Sequence, residues 1–428
     1  MSFRSLGEKS DLVRGRWPLA LAMAFTMLPF GAGPDGAAEG SSLRQIVLVV
    51  LFLAATFAII RFPARYAIVR QAMPVTFALL LTYVFLSVGW SPEPYVSFKR
   101  AIQLLGVTIL GLGLVVGGSG KMRIASVTAP VLICAAALSI IVTAVFPTYA
   151  FSELGFRGFT ANKNTFGQIA TLIVFISGYM YLQQPTKRWL YLPMVLLGIA
   201  GLVISRSATS AMALLVVAAL LAFRLALHRI HRSWLPLFLS GGLLLLASGL
   251  AYVVLQGFPP VDKLLSQILA PTGKDATLSG RTYLWELMAS EAMHHPWFGT
   301  GYGGFWLGLQ GPSGEVAYKV RWGYPGQAHN GYLDLFNELG FVGVVLVLAF
   351  LYEHTRNVFV LIENNKKLGY FHATLLLLVL VHNFAEATFL RTTHIWWIVF
   401  TASVLEVGYL TFKKSSMPVS RVVVGKVY

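Results

Sequence analysis

The stretch "IASVTAPVLICAAALSIIVTAVF", Ile124 to Phe146, decides the fold: it is 23 residues long and holds no Asp, Glu, Lys or Arg. Crossing the hydrocarbon of a bilayer takes about 20 apolar residues in a helix. By that measure the candidate spans are about 17–33, 43–60, 73–90, 101–117, 124–146, 164–183, 189–204, 208–227, 235–256, 332–352, 369–390 and 393–412, twelve in all. Composition agrees, with 56% apolar residues, 12% charged and a mean hydropathy of +0.69, against about 25% charged in soluble domains. The expected fold is an all-α polytopic membrane protein of about twelve transmembrane helices.

A net charge of +16 suggests nucleic acid at first sight. A nucleic-acid binder gathers Lys and Arg into one patch, whereas here they stand in short clusters between apolar runs, so that class is set aside. Those clusters orient the chain instead. With the N-terminus cytoplasmic, the inside segments hold 21 of the 33 basic residues, among them Arg61, Arg65, Arg70, Arg224, Arg229, Arg232, Lys366 and Lys367. An even number of spans returns the C-terminus to the cytoplasm. The basic N-terminus has no small-residue cleavage site behind it, so it reads as a retained first helix. Cys134 is the one cysteine, which excludes an intramolecular disulfide.

Three regions follow: a nine-helix membrane region at 1–256, a long external loop at 257–331, and a three-helix membrane region with a cytoplasmic tail at 332–428. Five polar segments then fall on the outer face: "ELGFRGFTANKN", "SRSATS", the 279–306 stretch of the long loop, "QAHNGYLD" and "EATFLRTT". In the loop, Ser279 can cap a helix whose Leu284, Leu287, Met288 and Ala292 form an apolar stripe, suited to lying along the membrane surface.

Several residues on that face carry two readings. Arg206, with apolar sequence on both sides, is either a snorkelling helix-end side chain or a cation awaiting an anion, since no acid lies near it in sequence. Arg281, with Trp285 one turn on, is either a cap followed by an interfacial aromatic or a guanidinium placed for phosphate beside a helix N-terminus. His329, before Asn330, is either an interfacial side chain or a general base. Asp334 and Glu338 put two acids on one helix face, and Glu338 at membrane depth needs a partner. His294 and His295 fit no recognised zinc spacing, so no metal and no cofactor is expected. The glycines and aromatics around them suit a tight turn presenting ring faces to a sugar.

In their order along the chain, "RGFTANKNTFGQIA", "SRSATSAM", "GRTYLWELM", "HPWFGTGYGGF" and "AHNGYLDLFNELGFVG" resemble the O-antigen ligase and Wzy-type polymerase superfamily, and within it the ExoQ-type exopolysaccharide polymerases. That resemblance implies a GT-C-like, metal-independent inverting glycosyltransferase of the bacterial inner membrane, with its site on the periplasmic side. Its substrates would be an undecaprenyl-diphosphate-linked glycan and a glycan acceptor, and its neighbours in the bilayer the flippase and chain-length or export proteins of a polysaccharide assembly system. Arg206 and Arg281 become diphosphate-binding residues and His329 the functional histidine. Lys163, Asn164, Trp285, Asn330 and Glu338 become substrate-binding. Relatives commonly carry a histidine where this chain has Asn162, which removes an acid or base from that position. A ligase acting on lipid A-core is the alternative. A transporter would show internal repeats and ionisable groups near the midplane, and neither is evident.

The topology is tested by reporter fusions. A fusion at Lys274 is expected to report an external location and fusions at Arg229 and Lys366 a cytoplasmic one; a cytoplasmic signal at Lys274 would place the motifs on the wrong side.

Overall fold

The computed structural model describes residues 16–29, 42–61, 66–117, 123–227, 281–309, 311–320 and 323–415. Nearly all of it is helical. The described α-helices of seven residues or more are α1 (Trp17–Met27), α2 (Ser42–Ile60), α3 (Tyr66–Ala72), α4 (Val75–Leu86), α5 (Pro94–Gly117), α6 (Arg123–Val145), α7 (Lys163–Gln183), α8 (Arg188–Ser205), α9 (Ala208–Leu227), α10 (Arg281–Ala292), α11 (Ser313–Lys319), α12 (Gly331–Asn364), α13 (Lys366–His382) and α14 (Ile395–Ser415). One two-stranded hairpin, β1 (Phe151–Ser152) with β2 (Gly155–Phe156), lies between α6 and α7.

Among the described residues, six stretches are long and apolar enough to cross a membrane: Pro94–Val116, Ile124–Val145, Lys163–Gln183, Pro185–Ser205, Gly331–Asn364 and Ile395–Phe412. The chain is a polytopic all-α membrane protein. Shorter apolar helices coincide with the first four expected spans except the fourth, which α5 supplies, and with the eighth; the ninth, 235–256, lies outside the described residues, as do Ser279 and Lys274.

The core is centred on α14, whose residues 395–408 are all buried. Helices α5, α3, α12, α13, α6 and α1 pack around it. A polar side chain inside such a bundle needs a partner, because no water is there to serve it. Glu406 of α14 meets the rule by accepting the backbone N–H of Ile124, which is an unpaired donor at the start of α6 (3.0 Å).

Helix α12 is broken at Gly340, which sits at φ +62°. The break releases backbone groups that a continuous helix would pair internally. The segment 296–300 takes them up: Phe341 N–H donates to Pro296 O (2.7 Å), Val342 N–H to Trp297 O (3.1 Å), and Thr300 N–H to Asn337 O (2.9 Å). Tyr83 of α4 donates its hydroxyl to Leu339 O (2.9 Å). The segment 296–300 is thus fastened to a membrane-spanning helix through main-chain bonds.

Two sequence expectations change. The stripe Leu284, Met288 and Ala292 on α10 is buried, and Leu284 and Met288 pack with Phe305, Trp306, Val316 and Ala328, so this face meets the loop's own core and not the plane of the membrane. The aromatic and aliphatic groups downstream offer that stripe a drier contact than headgroups would. The eleventh span stops at His382, short of 390, because Asn383 folds the chain back. Its Oδ1 accepts from Thr388 N (2.9 Å) and Phe389 N (3.0 Å), and its Nδ2 donates to Thr388 Oγ1 (2.7 Å) and Val379 O (2.8 Å).

A Cβ at Gly340 would stand 2.4 Å from the Trp297 carbonyl carbon, in a left-handed backbone conformation. Gly340→Ala is therefore expected to cost about 1–3 kcal/mol or more. The measurement is the melting temperature in detergent together with protease sensitivity of 281–320; an unchanged melting curve would refute the docking.

Candidate active site

One carboxylate gathers most of the candidate residues. Glu386, in the fold-back after α13, is 3% exposed. Its Oε1 accepts from Arg281 Nη2 (3.0 Å), Asn164 Nδ2 (3.2 Å) and Thr209 Oγ1 (3.5 Å), and its Oε2 meets His329 Nδ1 (3.1 Å). Four separate elements, α10, α7, α9 and the turn before α12, are drawn to one acid. Burial pushes the Glu386 carboxyl up, but the hydrogen bond from His329 and the charges of His329, Arg281 and His382 outweigh it, so its pKa lies below the ordinary carboxylate value.

Each partner is held in place by local structure. Arg281 also donates from Nη1 to Ala385 O (2.5 Å) and is 13% exposed on its side chain. Asn164 is fixed at the start of α7, where Asn162 caps the helix by accepting from Thr165 N (2.9 Å). This is the position where a histidine was expected by resemblance, and here it performs a cap's task. Lys163 precedes Asn164 at the first helical position.

His329 sits at φ +50°, a left-handed conformation unfavourable for a side chain with a Cβ. Its neighbour Ala328 is clamped on both sides: Asp334 Oδ1 accepts the Ala328 N–H (3.0 Å) and Trp285 Nε1 donates to Ala328 O (2.9 Å). Asn330 caps α12, accepting from Tyr332 N (3.0 Å) and Leu333 N (3.2 Å). Gly331 N–H donates to Asn383 O (2.8 Å), and a Cβ on Gly331 would meet Asn383 Oδ1 at 2.0 Å. This close crossing brings the turn at 329 against the fold-back at 386. A carboxylate only accepts, so the His329 proton belongs on Nδ1 and the lone pair on Nε2. The side chain is partly exposed, and in this tautomer Nε2 is the nitrogen able to accept a proton.

A second network lies behind the first. Asp334 accepts from Arg391 Nη2 (2.6 Å) and Trp306 Nε1 (2.8 Å), and Glu338 Oε2 accepts from Gly303 N (3.0 Å). Arg100 donates to Gly303 O, and Tyr302 donates its hydroxyl to Leu390 O (2.5 Å). Glu338, expected to bind substrate, points to the glycine-rich loop and secures it. Trp285 Nε1 and Asn330 Oδ1 likewise bond to backbone.

Arg206 is set apart from the others. It forms the left-handed end of α8 (φ +53°), is exposed, and its guanidinium has no hydrogen-bond partner among the described residues. It stands three residues before Thr209, whose hydroxyl reaches the shared carboxylate. An apolar cavity of about 410 Å³ includes Ile204, Phe156 and Phe166 in its wall.

With arginine, histidine, lysine, asparagine and an acid placed at one end of a membrane bundle, the comparison with known proteins bears directly on function. Residues 193–348 match the O-antigen ligase family. The chain is also 28% identical over 293 residues to the exopolysaccharide production protein ExoQ of Rhizobium meliloti (strain 1021), an alignment covering 63% of this chain and 61% of that protein. It thus spans about three fifths of that relative's length. The resemblance read from the motifs is borne out. The family match contains Arg206, Arg281, Trp285, His329, Asn330 and Glu338, and it ends before Glu386.

Sequence reasoning missed Glu386 and Thr209. The one sequence signal for Glu386 was its place in the polar segment "EATFLRTT"; it lies 105 residues from Arg281.

The Glu386 shift yields a pH expectation. A carboxylate whose folded pKa is depressed contributes stability above its unfolded value, about 4.3, and that stability is lost as pH falls through the lower folded value. The melting temperature of the wild-type protein is expected to fall more steeply below about pH 4.3 than that of Glu386→Gln. Parallel curves would remove Glu386 from the acid response.

Proposed function

We propose that this chain is an inverting, metal-independent membrane glycosyltransferase of GT-C-like architecture that polymerises undecaprenyl-diphosphate-linked oligosaccharide repeats into exopolysaccharide. The observation that carries this reading is the convergence of Arg281 and His329 on one buried carboxylate, with Arg206, whose guanidinium has no partner among the described residues, three residues before Thr209. An acceptor hydroxyl attacks the anomeric carbon of the donor, and its proton passes to His329 Nε2. The new C–O bond forms as the bond from the anomeric carbon to the diphosphate oxygen breaks, and the electron pair leaves with undecaprenyl diphosphate. Leaving-group charge is the main electrostatic demand of this step, and two guanidiniums in a partly dry site answer it. The apolar cavity beside Ile204 suits an isoprenoid chain.

On this reading the site faces the periplasm of a bacterial inner membrane, both termini are cytoplasmic, about twelve helices span the bilayer, and flippase and chain-length or export proteins act alongside. The similarity to an exopolysaccharide production protein favours polymerase, while the family's description as O-antigen ligase supports transfer to lipid A-core as a second reading. Both use one donor. Purified protein given lipid-linked glycan alone is expected to release undecaprenyl diphosphate and lengthen the glycan; release only on addition of lipid A-core would select the ligase.

Arg206 and Arg281 are tested together. Removing a preorganised donor from an electrostatic site typically costs about 100- to 1000-fold in rate, about 2.7–4 kcal/mol. Each Arg→Ala change should nearly abolish polymer at normal membrane abundance, and the double variant should be much less than additive, since the two act on one group. Arg→Lys keeps the charge but loses the planar two-donor fork. A fully active Arg206→Lys protein would return Arg206 to the role of a snorkelling anchor.

A further inference from the structure

Arg281 cannot give the same N–H edge to Glu386 and to a diphosphate. Its guanidinium carries its donors in one plane, and Nη2 is already committed to Glu386 Oε1 at 3.0 Å. The ion pair has the marks of one that can open. Arg281 keeps a second anchor at Ala385 O, so the side chain stays in place without Glu386. Glu386 also keeps partners without Arg281: Asn164 and Thr209 on Oε1 and His329 on Oε2. No buried charge is stranded on either side of the exchange, which is what normally makes opening such a pair costly.

Resting on the reading of Arg281 as a diphosphate ligand, we propose that Glu386 is a positioning residue that occupies Arg281 in the empty site and yields it when the donor diphosphate arrives. The exchange is coupled to the base. While Arg281 holds Oε1, it draws on the negative charge that His329 feels through Oε2. Once the guanidinium turns to phosphate, the carboxylate acts on His329 Nδ1 undivided, and Nε2 becomes the stronger base with the donor already in place. His382 of α13 also acts on Glu386; Lys163 and Arg206 stand next to its partners Asn164 and Thr209 along the chain, and Asp334 holds the Ala328 N–H beside His329. Arg281 and His329 are the ones whose contact with the carboxylate defines the exchange.

The full chain, purified in detergent, is titrated with inorganic pyrophosphate by calorimetry. Glu386→Gln is expected to bind pyrophosphate about tenfold more tightly than wild type, the effect of relieving one charge-assisted hydrogen bond, while forming less polymer. Arg281→Ala in the wild-type background must weaken binding; if it does not, the diphosphate reading itself has failed. The gain from Glu386→Gln must vanish when Arg281→Ala is added. A gain that persists there is general relief of repulsion and overturns the exchange, as does unchanged or weaker binding by Glu386→Gln. If the Gln variant does not fold, Glu386→Asp, which retracts the carboxylate by one methylene, is expected to bind a few-fold more tightly, and weaker binding counts against the proposal. In a folded variant the acid limb of the transfer rate should move to lower pH when the carboxylate is removed; a profile lowered uniformly would leave Glu386 a structural residue.

Discussion

The hydrogen bond from Gly331 N–H to Asn383 O is the joint on which the site depends. It ties the first residue of α12 to the residue just past the end of α13. His329 lies two residues to one side and Glu386 three residues to the other, so this contact determines whether histidine and carboxylate meet. A side chain on Gly331 would occupy the space of the Asn383 amide, and that amide is itself fully used in folding the chain back. A backbone-to-backbone joint with no side chain between the strands of the crossing transmits little play. It holds the histidine and the carboxylate in one fixed relation.

The second constraint is set by the membrane. A helix interrupted near its end leaves donors and acceptors that neither lipid nor a distant loop can serve. At Gly340 the segment 296–300 satisfies them, and the stretch that follows is held by Glu338 and Arg100 at Gly303 and by Asp334 at Trp306, instead of by a disulfide. The acids of α12 look like waste if they are expected at a substrate. As fasteners they are well placed, because each binds backbone N–H or a guanidinium from a different segment.

The sequence disclosed the class of fold because a run such as 124–146 has few physical outcomes. It disclosed Arg281, Asn164 and His329 through motif order, and the structure gathers these three on one acid. Glu386 escaped because its importance is a matter of convergence: its partners come from positions 164, 209, 281 and 329, and no local pattern marks an acid as their meeting point. Periodicity placed α10 correctly, and it could not say what the stripe on α10 would face. The end of α13 was misread since apolar residues recur at Ala385, Ala387, Phe389 and Leu390, while the side chain of Asn383 redirects the backbone. Neither event leaves a trace in hydropathy.

Burying the carboxylate on the last fold-back has a consequence for how the protein is made. Glu386 leaves the ribosome after Asn164, Thr209, Arg281 and His329, the last of them by 57 residues. Until then the four have no common hydrogen-bond partner, and the nascent chain carries the arginine and histidine without that carboxylate. Completion of the final hairpin of helices is therefore the event that draws them together. A chain truncated after α13 would insert most of its helices and still own every residue legible from the motifs, without having assembled a site.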